Sequence, residues 1–223
     1  KNGMTNSEIV AFNFRFPEEP VKEPDEPVGN AVITLKQNAS QIKYLAANSS
    51  YIRPNDPASR YEVVEMLAKL FDITGVTPTN RFSDVSGSYK DVVGLFSAAG
   101  IINGYEDGTF GGAREITRAE LVKILSLLLG LDKTAVEGET AVSLSDIPGH
   151  WAESNIRKFV AKGYILGYPE GDFRPDKAVT RAEAVTIINR VTGLVKTSGL
   201  AQRFRDLAPD FWAYDEIMNA AEA

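Results

Sequence analysis

The chain has 223 residues and no cysteine, which removes disulfide cross-links and thiolate metal sites from consideration. It has one histidine, His150, with no second ligand or nucleophile spaced around it, so it reads as a lone surface residue. Lysine and arginine number 24 against 30 acidic residues, a net charge of -6, and they form no basic run. Nucleic-acid binding by counterion release has little to work with, and any anionic ligand must be held by locally placed arginines. No apolar stretch reaches the roughly 18 residues of a membrane span. The longest, from Leu121 to Leu131, is broken by Lys123, Ser126 and Gly130. Nucleophile elbows and phosphate loops are missing, and the acidic residues single out no glycosidase pair. Glu106-Asp107 and Glu170/Asp172 lack the alternating ligands of a calcium loop. The chain is read as non-enzymatic, with no metal and no cofactor.

What the sequence does have is one phrase written three times, each at the mouth of an apolar helix: Ser59-Arg60-Tyr61-Glu62, Thr117-Arg118-Ala119-Glu120 and Thr180-Arg181-Ala182-Glu183. Behind each arginine runs the same apolar ladder: Val63, Val64, Met66, Leu67, Leu70; Leu121, Val122, Ile124, Leu125, Leu128; Ala184, Val185, Ile187, Ile188, Val191. Recurrence at near-fixed spacing means a repeat architecture. Upstream of two copies lie matched turns, Gly104-Tyr105 to Phe110 and Gly167-Tyr168 to Phe173. Further upstream is a second phrase, also in three copies: Phe82-Ser83-Asp84-Val85, Leu144-Ser145-Asp146-Ile147 and Phe204-Arg205-Asp206-Leu207. Two of these lead to Trp151-Ala152 and Trp212-Ala213, opening helices, and Gly100 and Gly163 stop the helices of the first two copies.

Each unit is thus expected to be helix, turn, second helix, with the second helix of the first unit reaching Ile73. Residues 1–16 read as the last strand of an upstream domain, with Lys1 lying inside a longer chain, and 17–29 as a proline- and acid-rich tether. The units follow at 30–81, 82–143 and 144–203. The closing half-unit 204–223 supplies the half that the first unit lacks. The fold class expected is mainly all-α: a closed, pseudo-threefold set of repeats around a central three-helix bundle, with a short N-terminal β-like tail.

Ser or Thr followed at the third position by Glu is a capping box, the structural reading of Ser59/Glu62, Thr117/Glu120 and Thr180/Glu183. The arginine is harder to explain, because the macrodipole disfavours a cation in the first helical turn. Two readings stand for Arg60, Arg118 and Arg181. One is an anion site made with free helix N–H groups; the other is a structural salt bridge to Asp84, Asp146 or Asp206. Trp151 and Trp212 read first as core residues and second as faces on which a sugar ring could stack. Tyr105 and Tyr168 lie near them.

The order Phe-x-Asp-Val, Trp-Ala, Gly-Tyr-x-Glu/Asp-Gly-x-Phe and Thr-Arg-Ala-Glu resembles the S-layer homology domain family over residues 40–223. The resemblance implies non-covalent anchoring of an exported protein to the bacterial cell wall, extracellularly. The implied partner is a secondary cell-wall polymer attached to peptidoglycan, often bearing pyruvylated sugar, bound in grooves between repeats. Carried over, one groove would use Arg118, Asp146 and Trp151, and another Arg181, Asp206 and Trp212, with Tyr105 and Tyr168 flanking the sugar. The first unit departs from the pattern, and its groove would rest on Arg60, Asp84 and Tyr89. An upstream cargo domain is the other expected partner; nucleic acid and membrane insertion are not expected. The alternative is a protein-interaction or lattice-forming module without glycan binding. On the anchoring reading, alanine at Arg118 and Arg181 would abolish wall binding while melting barely moves.

Overall fold

Three helices begin at the repeated phrase: α1 (Arg60–Leu70), α3 (Arg118–Leu128) and α5 (Arg181–Thr192). They belong to a computed structural model that describes residues 31–46 and 49–222. The expected strand and tether of residues 1–29 lie outside the described residues, as do Ala47 and Asn48 of the first turn. All three capping boxes form. The Ser59, Thr117 and Thr180 hydroxyls accept the N–H of Glu62, Glu120 and Glu183 at 3.2 Å. Each glutamate Oε2 accepts the cap's own N–H at 2.8 to 2.9 Å. Each cap is worth about 1 kcal/mol. Every residue of the three apolar ladders is buried, so the 3.6-residue period does set the core-facing stripe.

The other helices are α2 (Tyr89–Ala98), α4 (Glu153–Ala161) and α6 (Tyr214–Ala220). They pack in pairs, α2 on α1, α4 on α3 and α6 on α5. Gly100 and Gly163 stop α2 and α4 in left-handed conformations, at φ 70° and 71°. The following amides, of Ile101 and Tyr164, reach back to the carbonyls of Phe96 and Phe159.

The three helix starts converge on a ring of backbone hydrogen bonds. Ala58 N–H donates to Val179 O (2.8 Å), Val179 N–H to Ile116 O (2.9 Å) and Ile116 N–H to Ala58 O (2.9 Å). All three residues are fully buried. Around the ring, each helix hands its first two amides to the next unit's turn. Arg60 and Tyr61 donate to Arg114 and Gly112, Arg118 and Ala119 to Lys177 and Pro175, and Arg181 and Ala182 to Asp56 and Pro54. The units are therefore related by a cyclic, threefold pattern of bonds.

The C-terminal segment fits the first unit as the middle segments fit theirs. Tyr44 and Leu45 N–H both donate to Ala220 O, and Glu222 N–H returns to Leu45 O. Asp206 takes the amides of Ile52 and Arg53. The buried Tyr44 hydroxyl bonds Asn189 Oδ1 at 2.6 Å, and Asn189 continues to Glu216. Burial and Glu216 together push the Tyr44 phenol well above its usual range.

One element departs from expectation. The second helix of the first unit stops at Leu70, and Phe71–Thr74 forms strand β2, antiparallel to β1 (Val32–Leu35) in the register Val32↔Thr74 to Leu35↔Phe71. Phe71 and Ile73 face the core while Asp72 and Thr74 face solvent. That alternation is the strand period, and it overrides the continuing helical ladder.

Residues 204–223 contribute Phe204, Leu207, Tyr214, Ile217 and Met218 to the core. At about 1.5–3 kcal/mol per side chain, their loss is comparable to the whole of an ordinary margin of stability. Truncation before Phe204 is expected to lower the melting midpoint by more than about 10 °C or to abolish the cooperative transition in circular dichroism. A melt within about 2 °C of the full chain would show that the first unit does not need the segment.

Candidate functional site

Arg60, Arg118 and Arg181 are buried, at 6%, 4% and 9% exposure. In each, Nε donates to the carbonyl that ends a turn: Arg60 to Phe110 O (3.0 Å), Arg118 to Phe173 O (2.9 Å), Arg181 to Ile52 O (2.8 Å). Arg60 Nη1 meets Glu120 Oε1 at 2.8 Å, and Arg181 Nη1 meets Glu62 Oε1. Glu183 faces Arg118 electrostatically. The capping glutamates Glu62 and Glu120 therefore serve two helices, with one oxygen on their own cap and the other on a neighbour's arginine. Burial lowers the Arg118 pKa, partly offset by Tyr168 and Glu183, and the group stays a cation.

The salt bridges expected to Asp84, Asp146 and Asp206 are replaced by an indirect link. Each aspartate spans two consecutive amides: Asp84 those of Phe110 (2.7 Å) and Gly111 (2.8 Å), Asp146 those of Phe173 (2.7 Å) and Arg174 (2.6 Å), and Asp206 those of Ile52 (2.9 Å) and Arg53 (2.7 Å). The residue whose N–H the aspartate holds is the one whose C=O takes the arginine. The free helix N–H groups of the anion reading are likewise absent from all three helices. The first two amides go to the neighbouring turn and the third to the capping hydroxyl.

The arginines are not equivalent. Arg60 Nη2 donates to Asn103 O (3.2 Å), so all three of its nitrogens are bound. Arg118 Nη2 donates to Leu166 O (2.9 Å), leaving Nη1 without a hydrogen-bond acceptor among the described residues. Arg181 Nη2 likewise has none.

Tyr105 and Tyr168 are covered by cations. The Tyr105 ring lies 5.0 Å from the Arg60 guanidinium and 4.2 Å from that of Arg114. The Tyr168 ring lies 4.9 Å from Arg118 and 4.0 Å from Arg174. Their hydroxyls reach Glu120 and Glu183 at 3.4 Å. These tyrosines hold the buried cations. The tryptophans do the opposite of the core reading. Trp151 is 40% exposed and Trp212 is 60% exposed, each backed by a ring neighbour, His150 or Phe211. His150 is half-buried, not a free surface residue. Its Nδ1 accepts Ala152 N–H, and its Nε2 sits 3.3 Å from Asp176.

A groove of about 480 Å³ runs beside α1, lined among others by Arg181, Arg53, Tyr51, Tyr89, Glu62 and Lys69. Tyr89, at the position of the tryptophans, stacks on Tyr61 with ring centroids 3.9 Å apart. This corrects the pairing expected from sequence. Arg181 shares its groove with Tyr89 rather than Trp212, because Arg181 reaches across to Glu62 on α1 and α2 packs on α1. Arg60, in turn, points to the second unit's turn and not toward Tyr89's groove. Arg53 and Arg174 were not anticipated. Both follow the shared Ile/Phe and have left-handed backbones, φ 52° and 57°, as Gly111 does at φ 66°. The equal offset from that residue was the available signal.

The S-layer homology domain matches residues 81–122 and 143–185. A cellulosome-anchoring protein of Acetivibrio thermocellus is 34% identical over 172 residues, covering 74% of this chain and 38% of that protein. Cell surface glycoprotein 1 of the same organism is 31% identical over 185 residues, 76% of this chain and 8% of the relative. An outer membrane protein SlpA of Thermus thermophilus is 36% identical over 93 residues, 40% of this chain and 10% of the relative. The chain thus spans well under half the length of these relatives. With two matched domains and relatives aligned across about three quarters of its length, the chain belongs to the S-layer homology domain family.

Proposed function

We propose that this chain is a non-enzymatic, extracellular module that anchors an exported protein to the bacterial cell wall by binding a peptidoglycan-linked secondary polymer in grooves between its units. The observation that carries the reading is the groove in which the buried Arg181, keeping an unused donor among the described residues, shares the walls with the rings of Tyr51 and Tyr89. A groove of about 480 Å³ is within the range that ligand pockets occupy, roughly 300–1,000 Å³. Exposed tryptophan faces suit sugar rings, and a fixed guanidinium suits a carboxylate such as a pyruvate ketal presents. The names of the relatives, a cellulosome-anchoring protein and cell surface proteins, point the same way. Millimolar affinity at each groove is enough, since linked sites gain through effective concentration. An upstream cargo domain is the load such an anchor would carry.

By the cyclic pattern of the fold, the ring that accompanies Arg118 is Trp212, and the ring that accompanies Arg60 is Trp151. Asp84, Asp146 and Asp206 shape the grooves by holding the turns.

The expectation that alanine at Arg118 and Arg181 leaves melting unchanged is revised. Arg181→Ala would strand the Ile52 carbonyl and leave Glu62 Oε1 only its long contact with Arg53, at a cost of roughly 3–5 kcal/mol. The melting midpoint should fall by roughly 6–20 °C, so alanine there cannot separate binding from folding.

The exposed Trp212 and the half-buried, groove-lining Tyr89 can. Trp212→Ala with Tyr89→Ala is expected to weaken binding to protease-treated sacculi by about tenfold or more, with a melting change under about 3 °C for Trp212→Ala alone. Unaltered binding by the double variant would remove the platform role.

The wall ligand itself is tested with protease-treated sacculi before and after acid stripping of the secondary polymer. Binding is expected to vanish on stripping. Retained binding would identify peptidoglycan as the ligand, and binding lost to protease treatment alone would identify a protein partner and a lattice role.

A further inference from the structure

We propose that Arg53 is a second ligand-binding residue of the groove beside α1, forming with Arg181 a two-guanidinium clamp on one acidic group of the polymer. The proposal rests on the polymer-binding reading above and assigns to this groove a residue that lies outside the repeated arginine phrase.

The backbone gives the first reason. Arg53, Gly111 and Arg174 occupy the same position in the three units, all left-handed, each with its amide on the paired aspartate. Gly111 shows that glycine satisfies this geometry, and a side chain there is strained where glycine is not. A strained residue persists when its side chain is used for something else.

For Arg174 that use is visible. Its Nε meets Asp172 at 2.9 Å, its Nη2 meets Glu170 at 3.2 Å, and it covers the Tyr168 ring. The first unit has Tyr51, Ser49 and Ala47 at the corresponding sequence positions, so none of these partners exists for Arg53. Its contacts are two long ion pairs, Asp56 at 3.7 Å and Glu62 at 3.8 Å, and its side chain is 61% exposed. Beyond the amide bond to Asp206 that all three positions share in kind, no close side-chain contact offsets the strain at Arg53 among the described residues.

The charges give the second reason. Arg53 Nη2 and Arg181 Nη1 converge on the same oxygen, Glu62 Oε1. Two guanidinium groups share one carboxylate, and Arg181 Nη2 has no acceptor of its own among the described residues. Lys69, farther along the groove, is engaged by Glu222. Asp56 beside Arg53 and Glu65 on the groove wall balance the charge overall, so what the convergence point offers is donors: an arriving carboxylate or phosphate would meet those of both arginines.

The test is Arg53→Gly, which keeps the left-handed backbone. The probe is the polymer released by acid from protease-treated sacculi, titrated calorimetrically, together with the same polymer after amidation of its carboxyl groups. Arg53→Gly is expected to melt at or above the parent temperature and to bind the acidic polymer roughly fivefold to tenfold more weakly. The difference should disappear with the amidated polymer. In the parent chain, the acidic polymer should protect Arg53 from phenylglyoxal, read by mass spectrometry. Unchanged affinity and unprotected Arg53, with the parent chain still binding, would overturn the clamp and leave the polymer reading intact. A fall in melting that accounts for the lost affinity would also overturn it, by making Arg53 a structural residue. Failure of the parent chain to bind either polymer would instead overturn the polymer reading on which the clamp depends.

Discussion

Putting a guanidinium out of water is costly, several kcal/mol even after relaxation, and this fold does it three times around one axis. Arg60, Arg118 and Arg181 each send Nε to a carbonyl in a neighbouring unit, and the same peptide's residue offers its N–H to an aspartate. The unit turn is thereby gripped from both sides, by a carboxylate on its amide and a cation on its carbonyl. The capping glutamate adds the next link. For Glu62 and Glu120 it closes the helix start with one oxygen and engages the neighbouring arginine with the other. Helix capping and unit docking are in this way a single event, and neither phrase makes sense as a local motif alone.

A cycle of such contacts has to be complete to satisfy its members. If one unit leaves, the buried arginine that docked on it loses its carbonyl, and the first two amides of one helix lose their acceptors. Those are the groups whose orphaning costs most. The chain has two ends, however, so the cycle contains one seam that no loop crosses. There the turn of residues 49–53 depends on Asp206, and Tyr44 and Leu45 depend on Ala220. The two-stranded β1–β2 pair and the buried Tyr44–Asn189–Glu216 chain add ties between the chain's beginning and its later helices.

Much of this was legible in the residues because it is local and repeated. Capping boxes, apolar ladders and glycine stops are short-range signals, and the unmatched halves at either end already implied closure. What was not legible involves partners set by three dimensions. The aspartate and arginine phrases recur in step, which suggests contact, but spacing cannot show that a peptide group lies between them. The arginine's burial also inverted the roles of the aromatics. Tyr105 and Tyr168 were drawn onto the cations, and Trp151 and Trp212 were left outside. β2 was lost because Phe71 and Ile73 continue the helical ladder as plausibly as they begin a strand. Only the presence of Val32–Leu35 as a pairing edge decides between them.

Under the proposed function, the bonds that fix the buried arginines also give the grooves their chemistry. A surface arginine meeting an anion must first be ordered, and its gain is screened by water and salt. Arg118 and Arg181 are already fixed by carbonyls, and a terminal nitrogen of each has no acceptor among the described residues. Ordering has been completed during folding, so a ligand gains the charge-assisted bond without that cost. Arg60 marks the other limit, since Glu120 takes its Nη1 and Asn103 O its Nη2, and no nitrogen is left over. On that proposal, structural and binding roles are not competing explanations for these arginines. Each nitrogen spent on the ring fixes the guanidinium, and the number left over decides whether a groove can hold an acid.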